Sequence, residues 1–127
     1  MRRVVVDMQN TLFADAIARA LRGFDSDFEV YCSESPQKTA ELCDYMLAQV
    51  LIMEVAGRGP WQLEERLRIR DEVKAREPGC KVVLVVDENA DKKLADRVRL
   101  AKKEGLIECF IYGSVSAAYL SAVVDTL

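Results

Sequence analysis

The residues in this chain that could do chemistry are acids that follow short apolar runs. Val4-Val5-Val6 leads into Asp7, Val50-Leu51-Ile52-Met53 into Glu54, and Val82-Val83-Leu84-Val85-Val86 into Asp87-Glu88. A carboxylate at the end of a buried strand is costly unless it faces a crevice or meets a partner. In open α/β sheets the crevice beyond the strand C-termini is where ligands sit. Two or three carboxylates brought together there suit a hard divalent cation with oxygen ligands, such as magnesium. Asp7 and Glu54 are the candidate ligands, with Asp87 as a third. The competing reading is that these acids stand at helix entries, where they complement positive dipole ends.

Residue type excludes much other chemistry. The 127-residue chain has no histidine, so His-dependent nucleophiles and His-ligated metals are ruled out. Cys32, Cys43, Cys80 and Cys109 are scattered, with no C-x-x-C pair, and read as reduced thiols rather than a zinc site. The first βα turn, Asp7-Met8-Gln9-Asn10-Thr11, has no glycine, and neither a G-x-G-x-x-G nor a Walker loop occurs. Gly57-Arg58-Gly59-Pro60 runs into Trp61 and reads as a plain turn, with Trp61 packing at a helix start. The Arg66–Arg70 cluster is interleaved with Glu64, Glu65, Asp71 and Glu72, the pattern of a solvated, salt-bridged helix face. With a net charge of -3 and no basic block, direct binding of nucleic acid is not expected. Half of the residues are hydrophobic and 31% are charged, an ordinary soluble composition. The apolar runs are too short to cross a bilayer, and the N-terminus enters a strand pattern at once, which points to the cytoplasm.

These acids need elements to position them, and the patterning supplies ten. Strands are expected over Arg2–Asp7, Asp27–Cys32, the stretch around Val50–Val55, Lys81–Val86 and Leu106–Tyr112. Between them, three- and four-residue apolar spacing predicts helices over Thr11–Phe24, Pro36–Leu47, Trp61–Arg76, Ala90–Glu104 and Ala117–Leu127. Asn10, Ser35 and Ser116 are the expected N-caps, Pro36 fits the first helical position, and Gly105 fits a helix stop. In the last helix Leu120, Val123, Val124 and Leu127 are expected inward, and Tyr119 and Ser121 outward. Strict βα alternation implies a single α/β domain over residues 1–127, with parallel strands, right-handed crossovers and helices on both faces.

Val4-Val5-Val6-Asp7, the segment Asn10-Thr11-Leu12-Phe13 leading into an Ala/Leu helix, and Val50-Leu51-Ile52-Met53-Glu54-Val55 resemble a response-regulator receiver domain, most of all receivers of the transcription-factor type. The resemblance implies a flavodoxin-like three-layer sandwich with a five-stranded parallel sheet in order 2-1-3-4-5 and five helices. It also implies positions for the chemistry. An acidic pair after the first strand holds magnesium; Asp7 matches one member and Met8 falls on the other. The phospho-accepting aspartate after the third strand is Glu54 here. The hydroxyl residue ending the fourth strand is Val86, or Asp87 if the match slips by one. The lysine seven residues after the helix-ending glycine is Tyr112, and the proline after it is Gly113. The expected function is therefore that of a pseudo-receiver. It is a non-enzymatic, cofactor-free signalling domain of a two-component response regulator, not phosphorylated in the usual way, acting through protein contacts. A homodimer through the fourth helix, fifth strand and fifth helix is the implied pairing. The alternatives are a functioning magnesium-dependent phosphoryl acceptor with unusual ligands and a flavodoxin-like module for a small ligand.

Overall fold

The computed structural model describes residues 1–87 and 91–127. Glu88 and the expected helix start at Ala90 lie outside them. The elements alternate in chain order: β1 (Arg2–Asp7), α1 (Thr11–Phe24), β2 (Phe28–Cys32), α2 (Pro36–Met46), β3 (Val50–Val55), α3 (Leu63–Arg76), β4 (Lys81–Val86), α4 (Lys92–Lys103), β5 (Cys109–Tyr112) and α5 (Ala117–Asp125). The five strands form one sheet in the order β2-β1-β3-β4-β5, and every pairing is parallel. The order reverses between β1 and β3, which creates a crevice beyond their C-terminal ends.

The central strands β1, β3 and β4 are buried on both faces, which is why they are runs of Val, Leu and Ile, whereas the edge strand β2 alternates, with Phe28 and Val30 buried. Val4, Val6, Ile52, Val83, Val85 and Ile111 pack beneath α1 and α5. Val5, Leu51, Met53, Val55, Leu84 and Val86 pack beneath α2, α3 and α4. Full burial of each such side chain is worth about 1.5–3 kcal/mol, so the central strands anchor the fold.

Local signals set the element ends. The Asn10 side chain accepts from the Phe13 amide at 3.1 Å, the Ser116 hydroxyl from the Tyr119 amide at 3.1 Å, and Gly105 takes φ +79° after α4. Several expectations are corrected. Ser35 sits at the N-cap of α2 but makes no side-chain cap bond. Instead its carbonyl accepts from the Ser33 and Thr39 hydroxyls. Trp61 lies in a 3-10 turn (Gly59–Trp61), and α3 begins two residues later. Leu47, the expected last residue of α2, instead caps it in the left-handed region at φ 55° and points outward. Leu12 is 82% exposed, because the helical period puts it on the side of α1 opposite the buried Ala14, Ile17, Ala18 and Leu21. Leu127 is exposed, whereas Ser121, expected outward, is buried with its hydroxyl donating to Ala117 O at 2.9 Å. The fifth strand starts at Cys109 rather than Leu106. The residue before it, Glu108, turns its carboxylate to the Val82 amide and to Lys74.

Candidate functional site

Residues at the strand ends divide between the two faces of the sheet, because successive side chains alternate. Met8 and Glu54 lie on the α1/α5 side. With Phe13, Val85, Asp87 and Gly113 they line a crevice of about 350 Å³. Glu54 is half-buried there. Its Oε1 accepts from the Gln9 amide at 2.7 Å and from the Asn10 amide at 3.2 Å. Both amides precede α1, so this carboxylate ties β3 to the β1–α1 loop and stands at the positive end of a helix.

Asp7 is on the other side. Its carboxylate is buried and accepts from Arg66 NH1 at 2.6 Å, from Arg66 NH2 at 3.3 Å and from the Thr39 hydroxyl at 2.6 Å. Arg66 has no exposed surface. It also donates from Nε to the backbone carbonyl of Glu54 at 2.7 Å and from NH2 to that of Asp7 at 3.3 Å. Burying two charges costs several kcal/mol each, and only such dense pairing offsets it. The expectation of a solvated face over Arg66–Arg70 is therefore corrected at its first member. Arg68 is exposed and pairs with Glu65, and Arg70 binds Asp71 and the Leu106 carbonyl. The signal for Arg66 was present in the spacing. Leu63, Arg66, Ile69 and Val73 fall on one stripe of α3, and all four are buried.

The counted positions of the fourth and fifth strands also turn away from the crevice. Val86 is fully buried among the residues beneath α4. Tyr112 packs on that same side, edge-on to Phe110, and its hydroxyl is 2.5 Å from Arg99 NH2. The residues that face the crevice are the next ones along, Asp87 and Gly113. Glu54 and Asp87 therefore share the crevice, while Asp7 is held out of it by Arg66. A hard cation there would meet the carboxylates of Glu54 and Asp87 beside the soft thioether of Met8, with the third expected carboxylate, Asp7, already neutralised by Arg66. This donor set lacks the acidic pair after β1 that the receiver resemblance implies for magnesium. Among the described residues, no group of three metal-ligating side chains converges. A wider groove of about 690 Å³ runs over α2. Four of its five charges pair with one another, Glu34 with Lys38 and Asp44 with Arg76, and Glu41 is the fifth.

The architecture is that of response-regulator receiver (CheY-like) domains. A response regulator from Thermotoga maritima superposes with a TM-score of 0.78 over 99% of this chain and 96% of that one, at 16% identity. A CheY-like receiver domain protein from Methanospirillum hungatei gives 0.77 over 99% and 92%, at 13% identity. A CheY-like protein, tadZ, from Pseudomonas aeruginosa gives 0.69 over 99% and 92%, at 20% identity. No protein-family model matches the sequence, and no curated protein matches it. At these identities the likeness establishes the fold. Among the described residues no helix is long and apolar enough to cross a membrane.

Proposed function

We propose that this domain is a receiver-like module of two-component signalling that is not phosphorylated at Glu54 and acts in the cytoplasm by protein contact, without catalysis of its own. The observation that carries the reading is the buried Asp7–Arg66 pair. Phosphoryl transfer onto a carboxylate depends on metal neutralisation and in-line placement. Here Asp7 is neutralised by an internal guanidinium, Met8 offers no oxygen, and Glu54 is one methylene longer than aspartate, which displaces its oxygens by about 1.5 Å. No cationic side chain lines the crevice among the described residues. Glu54 Oε1 is used as a structural acceptor.

In this reading the working surface is the face formed by α4, β5 and α5, on which Leu100 and Tyr119 are exposed. The receiver resemblance makes a second copy one occupant of that face; sedimentation showing only monomer at high concentration would remove this form of the reading. The main reading is tested by NMR titration with magnesium and then magnesium plus beryllofluoride. The expected result is no saturable shift at Gln9, Asn10 or Gly113. Shifts there that spread into α4 and β5, together with a mass gain from an acyl phosphate, would overturn it.

A further inference from the structure

The helix α4 carries six cations, Lys92, Lys93, Arg97, Arg99, Lys102 and Lys103, against the one acid Asp96. The chain as a whole is at -3. This charge does not form a block in the sequence, because Leu94, Val98 and Ala101 interrupt it. The helix turns those three into the core and leaves the cations outside.

Two features separate α4 from an ordinary solvated face. Ion pairing is incomplete: Arg97 pairs with Glu64 of α3, and Arg99 with Asp96 at 2.9 Å, while Lys92, Lys93 and Lys103 meet no acid among the described residues. In addition, Lys92 and Lys93 occupy the first turn, which holds no acid. There they oppose the helix dipole, so fold stability does not call for them. At about 100° per residue, Lys92, Arg99, Lys103 and Asp96 fall on the outward stripe, where Asp96 is taken up by Arg99, and Lys93 and the half-exposed Leu100 lie beside it.

We propose that the outward face of α4 docks an acidic protein segment that carries an apolar side chain for Leu100. This rests on the reading above that the α4 side of the domain is its working surface, and it names the partner's chemistry. A second copy using the same patch would form an isologous contact with cationic helix near cationic helix, which is repulsive. A nucleic acid would be gripped best by arginine forks. Both arginines of α4 are already engaged by Glu64, Asp96 and the Tyr112 hydroxyl, and nucleic acid offers little for Leu100.

The test titrates the full chain, with neither magnesium nor beryllofluoride present, using a short synthetic peptide of Glu-Glu-Leu repeats and following backbone amides by NMR. The expected result is saturable shifts centred on α4. Binding should weaken about tenfold or more in the combined variant Lys92→Glu, Lys93→Glu, Lys103→Glu. The three lysines are exposed and meet no acid among the described residues, so the variant should keep its circular dichroism spectrum. Arg19→Glu on the exposed side of α1 should leave binding unchanged. No binding, shifts away from α4, or equal affinity in the triple variant would overturn the proposal. So would tighter binding at α4 of a single-stranded oligonucleotide of equal charge, or a dimer that excludes the peptide. Because no phosphoryl analogue is present, failure here is distinct from a live crevice, which only the beryllofluoride titration reveals.

Discussion

Arg66 and Asp7 form a pair with no solvent on either side, and removing one partner leaves the other as an uncompensated buried charge. Arg66→Met is therefore expected to lower stability by about 3–5 kcal/mol. The combined variant Asp7→Asn, Arg66→Met should recover much of that, since no charge is then left alone. Urea unfolding of the set checks this; an equal loss in the double variant would mean that packing around Arg66, not its charge, carries the effect. The thiols give a second expectation at this scale. Burial raises Cys43 from the ordinary value of 9.0 to about 12 and Cys80 to about 11. The folded state then holds these protons more tightly than the unfolded chain does. That contribution is complete below the unfolded value and is lost as pH rises through the folded values. The urea midpoint should fall between pH 9 and about 12, and the fall should be shallower in Cys43→Ala, Cys80→Ala, whatever that variant's starting stability.

At the scale of elements, the crevice acid behaves as a brace. Glu54 receives two amides from the segment that opens α1, and Asn10 in turn caps that helix. Glu54→Ala should loosen the start of α1 and cost about 1–2 kcal/mol, with Glu54→Gln retaining part of the bond. Hydrogen exchange of the amides from Gln9 onward reports it, and unchanged exchange would mean water replaces the carboxylate at no cost. Shortening the brace does not restore the family's chemistry. Glu54→Asp incubated with magnesium and an acyl phosphate should show no mass gain, because Met8 still denies the metal an oxygen and Arg66 still holds Asp7. A gain in that single variant would show that acceptor length alone had silenced the site.

For the whole molecule, charge and topology act together. The sheet order puts α4 at the end of the sheet opposite β2, far from the edge where Asp25, Asp27 and Asp125 gather around Arg2. Screening should therefore separate the two possible occupants of the α4 face. Any pairing of two copies through α4 should strengthen as salt rises, while binding of an acidic peptide should weaken over the same range, since the Debye length shrinks to about 3 Å at 1 M. Sedimentation and peptide titration across a salt series measure both slopes, and slopes of the same sign would contradict the charge argument.

The sequence by itself determined what local physics controls. Apolar runs bounded by turns and helix-period apolar spacing set the element order, and strict alternation then forced a parallel sheet with helices on both faces. Asn10, Ser116 and Gly105 act within a few residues of themselves, so their roles were readable too. The tertiary structure alone decided which way each strand-end residue faces. A pleat reverses with every residue, and an offset of one exchanges Val86 for Asp87 and Tyr112 for Gly113 at the crevice. Spacing counted from a distant glycine does not fix that. Nor does the order of residues show that Arg66, amid a charged run, meets an acid 59 positions earlier. That contact exists because the inward stripe of α3 faces β3 and the long Arg66 side chain reaches past the Glu54 carbonyl to the end of β1, and it turns an expected metal ligand into the partner of a buried arginine.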